Sequence, residues 1–447
     1  MADAADAYES SSPGSTGLYR EARRHIAGGV TRTTIHFAPH PLYLSRGDGA
    51  RVWDPDGVER LDFIGNYTAL ILGHRHPAVT AAIQSQLERG TAFAAANEQE
   101  ISLARELRRR VPSLDLVHFA NSGTEATMYA MRLARAHTGR TAIARFEGCY
   151  HGTHDAAEVS VSPDPEAAGP DHAPLPVAES PGIPASVLAD SVVLPFNDSV
   201  AAASILRRER GRVAAVIIDP LMSATGLVPA RPEFLHDLRR LTEELGMLLI
   251  FDEVISFRVG TAGVQGRHGV RPDLTTLGKI IGGGLPVAAF GGRRDVMELL
   301  DPERERSVPH GGTYNGHPLG MAAGLAAMGE LTPEVFARLD RDGDWLRSQL
   351  EEVFADHRVP AQVTGLGSLF NVHLTGAELV DYRSVRRAWS ARLAHGFLLG
   401  MLNQGILMAA RGLGALCTPM GPAELRAFVS AADRVLGELF PRGGAEG

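Results

Sequence analysis

The sequence predicts a two-part α/β protein: a large domain on a mainly parallel sheet, followed by a smaller α+β domain. Three observations predict it. From Leu116 to Gly292, short apolar runs alternate with stretches of helical periodicity, the pattern of strands joined by crossover helices. Val213 to Asp219 is apolar almost throughout, as a parallel strand covered on both faces must be. At 447 residues the chain also exceeds what one simple core supports, so two or more domains are expected.

In chain order, Met1 to Gly17 is acidic and rich in Ser, Ala and Gly. It has neither the basic start nor the apolar centre of a signal peptide, and it is expected to be disordered. Leu18 to Gly28 reads as a short helix ended by Gly28 and Gly29. Leu42 to Leu44, Arg51 to Trp53 and Arg60 to Ile64 read as a small meander, with turns at Gly47-Asp48-Gly49 and Asp54 to Gly57. Pro77 to Arg89 and Glu98 to Val111 are helical. The alternation then gives strands at Leu116 to Ala120, Thr141 to Phe146, Val213 to Asp219, Met247 to Val254, Leu274 to Leu277 and Val287 to Gly291. Between them fall helices at Thr124 to His137, Ser199 to Arg210 and Pro232 to Leu245. Ser160 to Pro184 is Pro/Ala/Gly-rich without periodicity, a surface loop or flap. Beyond His317 come helices to Leu331 and from Pro333 to Phe354. Strands follow at Gln362 to Leu374, Ile406 to Met408 and Ala415 to Thr418, then a last helix from Pro422 to Phe440.

Composition narrows the class. A net charge of −8 argues against nucleic acid as a partner. Two cysteines, Cys149 and Cys417, make no disulfide framework, and no Cys/His spacing suggests zinc, so no metal is expected. No apolar run reaches the length of a membrane span, and the cytoplasm is the expected location.

One residue stands out. Among the 44 Lys and Arg residues, Lys279 is the only lysine. Guanidinium does not deprotonate in proteins, so arginine cannot replace lysine where a neutral amine nucleophile is needed, as in a Schiff base. Lys279 ends the run Leu274 to Leu277 and precedes Gly282-Gly283-Gly284. A Walker loop would place its glycines before the lysine. Upstream, the strand Leu116 to Ala120 runs into Asn121-Ser122-Gly123-Thr124-Glu125, where Ser122 and Glu125 form a capping box. A helix starting there turns backbone N–H groups outward as a phosphate site. Asp252 ends the strand before Lys279 and could be a metal ligand, half of an ion pair, or the partner of a protonated pyridine. Phosphate cradle, strand-end Asp and strand-end Lys together are the parts that pyridoxal 5'-phosphate requires.

On these and further motifs the chain resembles the class III (subgroup II, fold type I) pyridoxal-phosphate aminotransferases. It is most similar there to the glutamate-1-semialdehyde aminomutases and the β-amino acid (β-phenylalanine) aminotransferases. The matching residues are Gly73 to Pro77, Asn121 to Thr127, Phe146 to Gly152, Asp252 to Val254, Leu277 to Gly284 and Gly312-Thr313, and the likeness runs from about Gly28 to about Phe440. It implies fold type I with a seven-stranded sheet. It divides the chain into 1–17, an N-terminal segment 18–65 packing with the small domain, a cofactor domain 66–325 and a small domain 326–447.

The resemblance also implies roles. Lys279 would be the Schiff-base lysine and proton carrier, and Asp252 the partner of the pyridine nitrogen. Tyr150 and Val254 would lie on the two ring faces, and Ser122, Gly123 and Thr124 would bind the phosphate. Thr313 would reach the phosphate of a neighbouring subunit, so a homodimer with active sites at its interface is expected. Arg32 and Arg411 would hold substrate carboxylates, and Tyr67 would line the pocket entrance. Asp252 to Arg258 is one residue shorter than its aminomutase counterpart, and Asp219-Pro220 replaces the commoner Glu-Pro. These departures weigh against the aminomutase activity rather than the cofactor. The expected function is amino transfer between a donor amino acid and a small carboxylate-bearing oxo or β-amino acid. The rivals are intramolecular aminomutase chemistry and a non-catalytic pyridoxal-phosphate-binding protein.

Overall fold

The computed structural model describes residues 2–441. Met1 and residues 442–447, the outermost parts of the expected N-terminal tail and small domain, lie outside the described residues. The chain forms two compact units. One takes the chain up to His76, Arg338–Ala377 and the chain from Ala388 on; the other takes Pro77–Ala337 and Glu378–Arg387.

The second unit is built on seven strands: β1 (Leu116–Ala120), β2 (Ala142–Phe146), β3 (Ser191–Leu194), β4 (Val213–Ile218), β5 (Leu248–Asp252), β6 (Leu274–Leu277) and β7 (Ala288–Gly292). Their order is β1-β7-β6-β5-β4-β2-β3. Only β7 runs antiparallel to its neighbours β1 and β6. β3 was not anticipated: four residues at the sheet edge, behind an aperiodic loop, carry too little pattern to read. β2, β4 and β5 are buried along their whole length, as strands with both faces covered are. Helix α1 (Gly123–Thr138) begins at the Ser122 capping box and ends at Gly139, whose φ of 69° lets the chain leave the helix. In register, Asp252 at the end of β5 pairs with Thr276 on β6, which brings Asp252 beside the approach to Lys279.

The short segment Glu378–Arg387 fastens the 160–184 loop from outside. Arg383 donates to both oxygens of buried Glu147 (2.7 and 2.9 Å), to the carbonyls of Ala168 and Gly169, and to Asp171. Tyr382 Oη donates to Pro163 O at 2.5 Å. The expected surface loop is thus tied down by two guanidiniums, Arg383 and Arg387, the latter also on Asp171, and one phenol.

In the first unit, the segment expected to be disordered is helical: Ala2–Ser11 and Pro13–Ala22. The physical reason is Tyr8, which is fully buried and stacks on His40 with ring centroids 4.8 Å apart. Thr16 Oγ1 lies 2.9 Å from the same imidazole. One aromatic anchor outweighs a polar composition, and composition alone cannot reveal it. In the meander, Arg51–Trp53 lies where expected, while the first strand is at Arg46–Asp48 and the third at Glu59–Asp62, with Ile406–Leu407 added in parallel. A three-stranded sheet comprises Gln362–Thr364, Leu369–His373 and Leu413–Ala415, the last two residues upstream of the expected strand. Helix Ala391–Asn403 was not anticipated. Phe63, Phe370 and Phe428 pack together at the centre, with centroids 4.7 to 6.3 Å apart.

Candidate active site

Asp252 sits at the carboxyl end of β5 and is 5% exposed. Both of its oxygens are engaged within the protein, and Oδ2 keeps an acceptor position open. Oδ1 accepts from Thr276 Oγ1 (2.9 Å) and Val254 N (3.2 Å), and Oδ2 lies 2.8 Å from His151 Nδ1. This fixes the carboxylate's plane. The far nitrogen of His151, Nε2, is buried with no hydrogen-bond partner. A buried polar atom left this way is uncommon in folded proteins.

Lys279 follows β6 after Gly278, with φ of 50°. A left-handed conformation in a non-glycine residue costs about 1–2 kcal/mol and is kept where function needs the direction it sets. Burial pushes the Lys279 amine below its ordinary pKa, while the carboxylates of Asp252 and Asp219 act the other way. The net shift favours the neutral, nucleophilic amine. Buried Asp219 accepts from Leu221 N (3.1 Å) and Ser223 N (2.8 Å), and its pKa is raised by burial and by Asp252.

Two glycines shape the space around Val254. A Cβ at either Gly123 or Gly278 would lie 3.1 Å from Val254 Cγ1. The valine therefore wedges between the start of α1 and the approach to Lys279. At that start, Ser122 caps the helix while staying exposed: its hydroxyl accepts from Glu125 N (3.2 Å), and Glu125 Oε2 accepts from Asn121 N and Ser122 N. The amides of Gly123 and Thr124 have no acceptor among the described residues. They are the free donors of a 16-residue helix, the arrangement that binds a phosphate.

The turn Glu147 to His151 brings Tyr150 beside this helix start. Tyr150 is 39% exposed; burial is the main cause of its raised pKa, with the neighbouring Thr124 side chain acting the other way. Thr127 Oγ1 donates to His151 O at 2.5 Å, tying the turn to α1. Thr313 lies exposed on the loop before helix Pro318–Glu330. That loop is held to the start of α1 by Asn121 Nδ2 donating to Asn315 Oδ1 (2.7 Å), and to β1 by the ring pair His118 and His310 (Nδ1 atoms 3.2 Å apart).

The second unit therefore brings together Ser122, Gly123, Thr124, Tyr150, Asp252, Val254 and Lys279. Sequence reasoning gave His151 and Thr276 no role, although His151 stands inside the quoted motif Phe146 to Gly152 and Thr276 directly precedes Leu277 to Gly284. An imidazole next to Tyr150 was the available signal for His151. For Thr276 there was none, because its contact depends on strand register.

Arg32, Tyr67 and Arg411 all belong to the first unit. Arg32 Nη1 donates to Asn66 Oδ1 (2.8 Å), and its guanidinium carbon lies 5.8 Å from the Tyr67 ring centroid. Tyr67 Oη donates to Thr34 O. Burial raises the phenol's pKa, against the bond to Thr34 and the charges of Arg32 and Arg411. Arg411 occupies the tip of a tight turn, with Gly412 N donating to Ala409 O (3.0 Å). Gly412 has φ of 88°, and a Cβ there would lie 2.3 Å from Val372 O. Neither arginine has a carboxylate partner among the described residues.

Known proteins are similar to this chain in sequence and fold. The family model "Aminotransferase class-III" matches residues 35–431. A glutamate-1-semialdehyde 2,1-aminomutase of Roseiflexus castenholzii is 43% identical over 400 residues, covering 88% of this chain and 90% of the relative. Among solved structures, an omega-transaminase from Sphaerobacter thermophilus superposes with a TM-score of 0.92 at 48% identity, covering 94% of this chain and 97% of that one. A β-phenylalanine aminotransferase from Variovorax paradoxus superposes with a TM-score of 0.89 at 35% identity, covering 98% of this chain and 96% of that one.

Proposed function

The chain belongs to the aminotransferase class-III family, and from that membership we propose that it moves an amino group between a donor amino acid and a small carboxylate-bearing oxo or β-amino acid. It is an enzyme of fold type I, and its cofactor is pyridoxal 5'-phosphate. The non-catalytic alternative falls with that membership. When bound, the cofactor supplies a carbonyl carbon that condenses with amines and a ring that stores the electron pair left when a substrate carbon gives up its proton.

The remaining work is the protein's. Lys279 carries protons on Nζ, and burial, which lowers its pKa against the pull of Asp252 and Asp219, favours the neutral form that can accept one. Asp252 holds a proton at the ring nitrogen, its carboxylate oriented by Thr276 and His151. The free amides of Gly123 and Thr124, with Ser122, take the phosphate. Tyr150 and Val254 confine the ring. Arg32 and Arg411 hold carboxylates and Tyr67 senses the side chain. Thr313 serves the phosphate of a second copy, so the working form is a cytoplasmic homodimer. No helix among the described residues is long and apolar enough to cross a membrane.

The observation that carries the substrate class is the pair of arginines, Arg32 and Arg411, whose charges bear on one phenol without a paired acid. A planar guanidinium left open suits a carboxylate. The second reading, intramolecular transfer, is favoured by the 43% identity to an aminomutase. Donor dependence separates the two. The purified holoenzyme is mixed with β- and α-amino acids one at a time, and the cofactor absorbance and keto-acid release are followed. Aminotransfer requires an external donor and releases one keto acid per amino group. Turnover of glutamate-1-semialdehyde with no donor present selects the mutase instead.

A further inference from the structure

Four consecutive residues, Gly65 to Thr68, have positive φ: 51°, 50°, 53° and 74°. Three of them are not glycine. A left-handed turn of this length costs about 1–2 kcal/mol per non-glycine residue, so it persists only where its surroundings enforce it. They do. Asp62, 3% exposed, accepts from Ile64 N (3.0 Å) and Gly65 N (2.9 Å) on Oδ1, and its Oδ2 lies 2.8 Å from His74 Nε2. Thr68 N donates to Ile64 O and Leu70 N to Gly65 O. Tyr67 closes the turn through Thr34 O.

The turn places sequence neighbours Asn66 and Tyr67 on the same guanidinium. Asn66 Oδ1 accepts from Arg32 Nη1 at 2.8 Å, and the Tyr67 ring lies 5.8 Å from the Arg32 guanidinium carbon. Both contacts are uncharged. Arg32 Nε and Nη2 have no acceptor among the described residues, so one arm of the fork is fixed and the rest stays open with its charge intact. Asparagine meets both demands here. It is among the non-glycine residues that best tolerate left-handed backbone, and its amide oxygen orients a guanidinium without neutralising it.

We infer that Asn66 is a positioning residue: the left-handed turn presents its amide so that the Arg32 fork is aimed and kept charged for a substrate carboxylate. This rests on the proposed role of Arg32, and the test separates the two. Asn66→Asp keeps the size and the backbone tolerance but puts a carboxylate where the amide was, so Arg32 becomes internally paired. In the dimeric holoenzyme, KM for 3-amino-3-phenylpropanoate and for glutamate rises at least about thirtyfold. The rate with 1-phenylethylamine, which lacks the carboxylate, stays within about twofold. Asn66→Gly, which fits the turn but removes the acceptor, raises the same KM values several-fold and leaves the amine unaffected. Equal losses on acids and amines in both variants would mean a merely structural turn and overturn the inference. Arg32→Ala is run alongside. If it raises KM for the acids while Asn66→Asp does not, the role of Asn66 alone is refuted. If it leaves KM for the acids unchanged, the carboxylate role of Arg32 fails, and the inference with it.

Discussion

Asp252 and Arg32, the oppositely charged residues proposed to meet cofactor and substrate, are held in opposite ways. Asp252 is buried, ends a central strand, and has both oxygens bonded within the protein. Arg32 is exposed, stands just before a short 3-10 turn, and touches only neutral groups. The difference teaches what each task demands. A group that must hold one proton in one place needs a rigid, low-dielectric setting, since mispositioning is costly there. A group that must accept different carboxylates in turn needs an open fork and an uncompensated charge, at the expense of some local stability.

The sharpest break of the buried side is Lys279→Arg, which keeps the charge but cannot deprotonate. Turnover should fall at least about a thousandfold. Borohydride should then attach no cofactor to the chain, whereas in the native protein the label sits on Lys279 alone. A label on the N-terminal amine of the native protein would refute the assignment. Asp252→Asn comes next. It keeps the shape and the Thr276 bond, so the fold should survive, while kcat falls about a hundred- to a thousandfold. Near-native rates would sink the proton-holding role.

Acid tests the buried unit without any substitution. His118 and His154 are each pushed down to about 4, burial being the first cause in both. Below their unfolded pKa of about 6.5 the unfolded chain takes up protons that the folded chain refuses. Stability should therefore fall as the pH drops from about 6.5 towards 4, by up to about 3 kcal/mol per histidine. Urea midpoints across that range measure it, and His118→Gln should remove about half the slope. A flat profile would mean that the imidazoles are not held neutral. The exposed side should yield the smallest effect. Arg411→Ala is expected to cost about 2 kcal/mol, roughly thirtyfold, in kcat/KM for carboxylate substrates. An equal loss on plain amines would remove Arg411 from recognition.

Legibility followed the same divide. β1, β6 and α2 (Pro232–Leu245) lie where the pattern puts them, and Lys279 and Asp252 stand at strand ends as expected. Local periodicity, capping residues and a unique amine are all written in neighbouring positions. What escaped depends on partners far along the chain. Tyr8 orders the N-terminal helices through His40, 32 positions away, and Arg383 grips Glu147 across 236. Asn66 meets Arg32 across 34, through a left-handed turn that Asn tolerates but that no propensity suggests for Tyr67 and Thr68.

By itself the sequence determined the α/β alternation, the capped helix start at Ser122, and an amine at Lys279 that arginine cannot replace. Only the tertiary structure decided that Thr276 and His151 bond Asp252, that Val254 is wedged between Gly123 and Gly278, and that Arg32 donates to the neutral amide of Asn66. The reason is physical. Periodicity and capping are short-range properties of a chain. Hydrogen-bond direction, burial and uncompensated charge exist only once distant residues have been brought within about 3 Å of one another.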